Sequence, residues 1–232
     1  YKEFILNLEK NKGSASLEFR KKLSQEAFNF TAYYDSVISE YFNNENKDYF
    51  PQKKTIHGNL VEVLRYGENP HQYSAIYSKN NNLNISKLNG KKLSYNNYND
   101  IFSALFILGA FKKNGTVIVK HSNPCGASEE NNQIKSFKSA LICDPVSSFG
   151  GVVATNSIIS KKLAMELNKN FFEIIISRGF KKDALKILKK RKNIILINSD
   201  KFNLKKKQNY YFLENVFLSQ DSNNTFMKEK IK

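Results

Sequence analysis

A lysine and a histidine, Lys120 and His121, stand side by side after a run of apolar β-formers. A histidine can move a proton near neutral pH, and an adjacent lysine can stabilise a developing negative charge. The apolar run predicts a buried strand over 116–120, and residues 123–126 predict a turn. Because ligands in open α/β sheets bind outside the carboxyl ends of strands, the pair lies where a site is expected. The alternative is a surface lysine and a structural histidine before an ordinary turn.

Two further polar loops accompany this pair, over residues 65–72 and 144–151. The first begins with Arg65, whose guanidinium can bind a phosphate through two parallel hydrogen bonds. The second ends in Gly150 and Gly151, which allow the backbone to approach a ligand closely. This inventory suits acyl or formyl transfer to a weak nucleophile on a phosphorylated substrate, although it is not specific for that reaction.

The composition indicates a globular chain of one or two domains. Among 232 residues, 41% are hydrophobic and 13% aromatic, which indicates a globular rather than a disordered chain. No apolar run reaches the length of a membrane span, and the N-terminus, which does not begin with Met, lacks a signal-peptide pattern. Two cysteines, Cys125 and Cys143, are too few for a disulfide framework. We therefore expect a cytoplasmic protein without a membrane partner.

The net charge of +16 leaves a basic nucleic-acid-binding module open as an alternative function. The basic residues are mostly lysines spread along the chain. The densest cluster, 181–192, also carries Ala184, Leu185 and Leu188 at helical spacing and predicts an amphipathic surface helix. We favour attraction for anionic small molecules over specific nucleic-acid binding.

The order of elements predicts an α/β fold. A long helix is predicted over 17–42, and the polar segment 43–54 reads as a linker. From Thr116 onward, strands alternate with helices, which is typical of a mostly parallel sheet covered by helices. The predicted strands span 60–64, 73–77, 116–120, 152–155, 173–177, 194–197 and 210–218, and a helix is predicted from about 96 to 113.

Four motifs in order carry a resemblance to a known family. They are LRYGENPHQ (64–72), KLNGKKLSYNN (87–97), VIVKHSNPCG (117–126) and DPVSSFGGVVATN (144–156). They resemble the bifunctional purine-biosynthesis family that combines AICAR transformylase with IMP cyclohydrolase. The segment 16–42 is similar to the part that joins the two domains of that family.

The resemblance implies a cytidine-deaminase-like fold, with a mixed or mostly parallel sheet flanked by helices and preceded by a helical segment. The implied reaction transfers a formyl group from the co-substrate 10-formyltetrahydrofolate to the 5-amino group of AICAR, giving FAICAR. No metal is implied. The implied catalytic residues are His121, which assists removal of the amine proton, and Lys120, which stabilises charge or relays protons.

The same resemblance implies substrate-binding roles for Arg65 and Tyr66 on the phosphate side. It implies that Gly150 and Glu173 contact the carboxamide or amine region, with Glu173 assigned from its spacing after the glycines. Asn69 and His71 are candidate supporting groups, and turn formation is an equally good interpretation of both.

The resemblance also implies a domain division. Residues 1–54 correspond to the helical end of the cyclohydrolase domain with its linker, and 55–232 to the first half of the transformylase domain. We therefore expect the cyclohydrolase residues upstream and further folate contacts in a second half, partly across a homodimer interface. This polypeptide alone is expected to be inactive.

A zinc-dependent nucleoside deaminase is a further alternative, because Pro124-Cys125 is similar to the proline-cysteine motif of that class. Residue 128 is Ser where a second cysteine is needed, and no glutamate follows His121 at the required place. These departures favour Cys125 as a small buried residue instead.

Overall fold

The computed structural model describes residues 1–203 and 208–222. These residues form two compact units. The first comprises 1–63 and 75–82, and the second comprises 64–74 and the described residues from 83 onward. The domain division at residues 54 and 55 stays a prediction. Within the described part of the chain, no helix combines the length and the apolar character that crossing a membrane requires.

The first unit contains two helices and a hairpin: α1 (Lys2–Lys10), α2 (Leu17–Glu45), β1 (Asn59–Val63) and β2 (Ala75–Ser78). Helix α2 begins where Ser16 Oγ accepts a hydrogen bond from the Phe19 amide, and Glu18 in its first turn suits the helix dipole. The predicted helix over 17–42 is confirmed and extends by three residues. The predicted strands at 60–64 and 73–77 pair antiparallel as β1 and β2.

A polar cluster ties α2 to the segment before β1. Ser36 is buried on α2, and its Oγ lies 2.7 Å from Thr55 Oγ1 and 3.1 Å from His57 Nδ1. The ring of Tyr33 packs edge-on against the imidazole of His57. Because buried hydroxyls cost stability unless they are hydrogen-bonded, this cluster fixes the segment on the helix.

The second unit is built on a six-stranded sheet with helices on both faces. Its elements are β3 (Ser86–Asn89), α3 (Tyr95–Leu108), β4 (Asn114–Lys120), β5 (Asn123–Glu130), α4 (Gln133–Cys143), β6 (Val152–Thr155), α5 (Lys161–Leu167), β7 (Ile174–Ser177), α6 (Lys182–Leu188), β8 (Ile195–Asn198), β9 (Gln208–Leu213) and β10 (Val216–Asp221).

The strand order is β3-β8-β7-β6-β4-β5. Strands β6, β7 and β8 run parallel, whereas β3 on β8, β4 on β6 and β5 on β4 are antiparallel. This mixed sheet flanked by helices, in a chain that starts with helices, confirms the predicted α/β class. Strands β9 and β10 form a separate hairpin.

The sheet buries both of its faces, which explains the near-continuous apolar runs of its central strands. One face packs on α4, α5 and α6, through a layer of aligned side chains at Ile118, Val153, Ile175 and Leu196. Helix α3 contacts β4 and β6 and buries Ile101, Ala104 and Leu105. The position of α3 is therefore set by core packing.

The sequence-based prediction of a turn over 123–126 is wrong. These residues open β5, and the chain reverses at His121 and Ser122 instead. An edge strand tolerates proline because one side of it needs no hydrogen-bond donor. A Cβ on Gly126 would lie 1.9 Å from the carbonyl oxygen of Ala140, so this glycine allows α4 to approach β5 rather than forming a turn.

Two other predicted boundaries also differ from the structure. Helix α3 ends at Leu108 instead of 113, where Gly109 follows as its C-cap. The single strand predicted over 210–218 is a hairpin of two strands. Its turn holds Glu214 at a φ of +44°, a conformation that strand propensity does not reveal.

Candidate active site

The strand register brings three of the predicted segments to one edge of the sheet. Val119 pairs with Val152, and Val152 with Ile174. The residues that flank these pairs, Lys120, Gly151 and Glu173, therefore lie at the same edge. The sequence analysis expected a site outside the carboxyl ends of the strands, and this expectation is wrong for most of them. The edge that carries these residues holds the carboxyl end of β4 but the amino ends of β6, β7 and β8, because β4 runs antiparallel to β6.

The side chain of Lys120 joins two of the sequence motifs. Its Nζ donates a hydrogen bond of 2.9 Å to the carbonyl oxygen of Phe149. The turn that presents this oxygen continues through Gly150, whose amide donates to the carbonyl oxygen of Phe171 at 2.8 Å. Gly150 has a φ of +76°, which favours glycine. Lys120 thus lies beside the paired glycines, as the resemblance requires.

His121 lies in an unusual turn next to Lys120. It has a φ of +52° and Ser122 one of +62°, and Lys120 and Asn123 pair across these two residues. A two-residue hairpin with two positive φ angles is a type I′ arrangement, for which Asn-Gly is the favoured sequence. The chain has His and Ser at these two positions, and their left-handed backbone conformation carries an energetic cost. His121 is exposed at the edge of the sheet.

Asp100 on α3 contacts this turn and was missed in the sequence analysis. Its Oδ1 accepts a hydrogen bond of 2.6 Å from the Ser122 amide. Partial burial raises the pKa of the Asp100 carboxyl above its ordinary value, while the Ser122 amide and the charge of His121 oppose that rise. Glu173 adds to the rise in the pKa of Asp100 through like-charge repulsion. The side chains of Asp100, His121 and Glu173 are therefore close enough to interact electrostatically.

Gly150 and Glu173 line a common pocket. Its volume is about 560 Å³, and its lining includes Lys91, Arg191 and Lys192. Glu173 forms an ion pair with Lys91, with 3.0 Å between Nζ and Oε1, and its amide donates to the carbonyl oxygen of Gly151. Lys91 is a second residue that sequence reasoning missed. The pocket combines one carboxylate with several cations, which suits a ligand that carries both anionic and amide groups.

Arg65 and Tyr66 lie in the loop 64–74 of the same unit. The guanidinium of Arg65, which is exposed, stacks 5.4 Å from the centre of the Tyr66 ring. Ser74 Oγ donates to the carbonyl oxygen of Tyr66 at 2.7 Å, which closes the loop. The loop connects to α3, where Asn96 Nδ2 donates to the carbonyl oxygen of Glu68 at 3.2 Å.

Helix α3 therefore links the arginine loop and the lysine–histidine turn. Asn96 and Asp100 are four residues apart, so their Cβ atoms lie about 5–6 Å apart on one helical face. The structure brings Lys120, His121, Gly150 and Glu173 to one edge, and it connects Arg65 and Tyr66 to that edge through α3.

Comparison with known proteins gives this arrangement a family context. The family model described as "AICARFT/IMPCHase bienzyme" matches residues 1–232. The chain belongs to the AICARFT/IMPCHase bienzyme family.

Curated relatives agree with this membership. A protein of Bradyrhizobium diazoefficiens named "Bifunctional purine biosynthesis protein PurH" is 39% identical over 204 residues, covering 85% of this chain and 38% of the relative. A protein of the same name from Listeria monocytogenes is 41% identical over 202 residues, covering 85% of this chain and 40% of the relative. The chain thus spans about two fifths of the length of these AICARFT/IMPCHase relatives.

Cys125 of this AICARFT/IMPCHase chain lies on β5 and is half-buried. Burial raises the pKa of its thiol, and Asp144 adds to the rise, whereas Lys120 opposes it. Among residues 1–203 and 208–222, no group of three His, Cys, Asp or Glu side chains is arranged to hold a metal ion. The deaminase alternative rests on the Pro124-Cys125 similarity alone.

Asn69 and His71 take no part in the contacts described above for the site of this AICARFT/IMPCHase chain. The Asn69 amide donates to Gln72 Oε1 at 2.7 Å within the loop, which agrees with a turn-forming role. A signal for Asp100 was present in the sequence, as an acidic residue four positions after Asn96 on a capped helix. Its relevance depends on the direction in which that helix packs, which helical periodicity does not specify.

Proposed function

We infer that this chain forms part of a folate-dependent formyltransferase site. The reaction transfers the formyl group of 10-formyltetrahydrofolate to the 5-amino group of AICAR, giving FAICAR in purine biosynthesis. Membership of the AICARFT/IMPCHase family supports this function. The observation that carries it is the hydrogen bond from Lys120 Nζ to the Phe149 carbonyl oxygen, which holds the lysine–histidine pair beside Gly150 and Gly151.

The chemistry requires one bond exchange and the movement of one proton. The amine nitrogen bonds to the formyl carbon, the bond from that carbon to N10 of the folate breaks, and N10 gains a proton in place of the formyl group. His121 accepts the amine proton as the nitrogen attacks. Lys120, as a cation near the forming oxyanion, stabilises the tetrahedral intermediate and relays the proton towards N10. No oxidant, reductant or metal takes part.

Substrate binding divides between two parts of this unit. Arg65 binds the phosphate of AICAR, with Tyr66 stacked beside the guanidinium. Gly150 and Glu173 contact the carboxamide and amine region from the pocket that they line. Glu173 is paired with Lys91, so contact of its carboxylate with the carboxamide requires this ion pair to rearrange.

The chain spans only 38–40% of the relatives' length, so other elements of the proposal concern parts that it does not contain. IMP cyclohydrolase activity and further folate contacts belong to those parts. The whole protein is a homodimer in this proposal, with some of the folate contacts made across its interface. The polypeptide alone is expected to be inactive. A cytoplasmic location and the absence of a specific nucleic-acid partner stay predictions.

A formyl-transfer assay on the full-length protein that contains this chain tests the proposal. Formation of FAICAR from AICAR and 10-formyltetrahydrofolate is followed for the wild type, His121→Ala and Lys120→Ala. We expect each variant to lower kcat by about 100-fold or more, the range for removal of a positioned proton-transfer or charge-stabilising group.

Lys161→Ala is the matched control, because Lys161 is an exposed lysine in the first turn of α5. It should leave kcat unchanged. Turnover of His121→Ala and Lys120→Ala at the wild-type rate would remove both catalytic assignments. A wild-type protein that forms no FAICAR would remove the proposed function itself.

A further inference from the structure

The turn that presents His121 is strained and needs an external restraint. His121 and Ser122 are consecutive non-glycine residues with positive φ angles. Each is disfavoured relative to the right-handed conformation because the Cβ atom crowds the following carbonyl oxygen. Such strain persists only where the surrounding structure over-determines the conformation. Within the turn, Asn123 Nδ2 donates to the His121 carbonyl oxygen at 2.8 Å.

The restraint from outside the turn is the carboxylate of Asp100. Its Oδ1 lies 2.6 Å from the Ser122 amide nitrogen, the short distance expected of a charge-assisted hydrogen bond. The backbone of His121 also acts on this carboxyl and lowers its pKa. The carboxylate of Asp100 therefore lies against both left-handed residues and is hydrogen-bonded to the second of them.

Asp100 is held rigidly enough to act in this way. Helix α3 begins with a reciprocal capping box between Ser94 and Asn97. The residue after Asp100, Ile101, is fully buried, as is Ala104 one turn later. The carboxylate therefore projects from a fixed backbone, whereas the turn that it holds lies at the exposed sheet edge.

The charges around Asp100 also suit a role beside a proton acceptor. The ionisable groups that act on it are His121 on the turn and Glu173 before β7. When His121 takes a proton from the substrate amine, the carboxylate of Asp100 stabilises the imidazolium that forms.

We propose that Asp100 is a positioning residue, which holds the His121–Ser122 turn in its left-handed conformation and so aims the imidazole at the substrate. The role rests on the proposed function of His121. The hold on the turn, however, is a property of this chain that can be measured without substrate.

The first measurement is amide hydrogen exchange in this chain, resolved by NMR at His121 and Ser122. Asp100→Ala should speed exchange of these two amides by about tenfold or more, because a local restraint is lost while the core stays intact. Asp100→Asn keeps an acceptor oxygen and should restore protection to within about threefold of the wild type. Asp183→Ala, at an exposed aspartate of α6, is the control and should change neither amide.

The second measurement is formyl transfer in the full-length protein. Asp100→Ala should lower kcat by about 10- to 100-fold with little change in the KM for AICAR, because misplacement of His121 affects the reaction more than substrate binding. Asp100→Asn should recover part of this loss.

The two measurements separate the two proposals. Unchanged amide exchange in Asp100→Ala, or an Asn variant as unprotected as the Ala variant, would overturn the restraint. Faster exchange with an unchanged kcat would overturn the positioning role. A wild-type protein without formyl transfer would contradict only the proposed function, and the exchange data would still decide whether Asp100 holds the turn.

Discussion

Lys120 and Phe149 meet through a single hydrogen bond, from the lysine Nζ to the backbone carbonyl oxygen, 2.9 Å apart. The two residues are separated by 29 positions in the chain, and the antiparallel pairing of β4 with β6 brings them together. Because the acceptor is a backbone atom, the contact depends on the path of the chain through the following glycine rather than on the phenylalanine ring.

Gly150→Ala should therefore disturb this contact through the backbone. Gly150 has a φ of +76°, and a Cβ there would meet only ordinary contacts with the Phe171 ring at 3.7 Å. The cost is then conformational, about 1–2 kcal/mol for a left-handed non-glycine residue. We expect the free energy of unfolding, measured with urea, to fall by that amount, and formyl transfer in the full-length protein to fall with it. Phe149→Leu keeps the backbone and serves as the control, and an equal loss in both variants would contradict the prediction.

Gly126→Ala should destabilise the fold much more than a typical glycine substitution. The added Cβ would lie 1.9 Å from the Ala140 carbonyl oxygen and 2.9 Å from the Ala140 carbonyl carbon, so α4 must move away from β5. Forced repacking of this kind costs about 1–3 kcal/mol or more. Urea unfolding of Gly179→Ala is the comparison, since its nearest atom would be 3.5 Å away on a side chain and its φ is not in the left-handed range. Similar urea midpoints for Gly126→Ala and Gly179→Ala would contradict the prediction, because they would show that α4 moves away from β5 at little cost in stability.

Glu173→Gln should separate binding from stability. The ion pair of Glu173 with Lys91 joins two side chains that are partly exposed, so its loss should change the free energy of unfolding by less than about 1 kcal/mol. If Glu173 accepts a hydrogen bond from the AICAR carboxamide, the affinity for AICAR should fall by about tenfold. Calorimetric titration of the full-length protein with AICAR measures this change. Lys91→Ala breaks the same ion pair but keeps the carboxylate, and a tenfold loss in that variant as well would assign the effect to the pair.

The stability of the protein should depend on pH through Asp100. Burial raises the pKa of this carboxyl in the folded state above its ordinary value of 3.8, so the folded state binds the proton more readily. Its contribution to the free energy of unfolding is therefore fully present below pH 3.8 and is lost as the pH rises through the folded pKa. The difference in unfolding free energy, wild type minus Asp100→Asn, should fall as the pH rises above 3.8 through the folded pKa.

Asp144 provides a comparison of opposite sign. Hydrogen bonds from Ser147 lower the pKa of the Asp144 carboxyl, so its stabilising contribution is present above its ordinary value of 3.8 and is lost as the pH falls. The difference for Asp144→Asn should rise with pH below 3.8, whereas the difference for Asp100→Asn should fall with pH above 3.8. A difference for Asp100→Asn that rises with pH, as that for Asp144→Asn does, would contradict the assignment at Asp100.

The sequence by itself determined the class of fold, most element positions and the residues of the motifs. Strand β6 was predicted at its observed bounds, because a continuous apolar run flanked by glycine and polar residues is a local signal. The start of α2 was found at the observed residue, since Ser16 caps the helix by a hydrogen bond within the same four-residue segment. The predicted start of α3 lies within one residue of the observed one, and the structure shows that Ser94 is its cap.

Only the tertiary structure decided which ends of the strands form the site and which groups support it. An apolar strand looks the same whether its neighbour runs parallel or antiparallel, so the sequence did not reveal that Lys120 meets the amino ends of β6 and β7. For the same reason, residues 123–126 read as a turn, although β4 supplies the hydrogen-bond partner that makes them a strand. Asp100 reaches Ser122 because α3 packs across β4 and β6, and that contact between distant segments has no counterpart in local residue spacing.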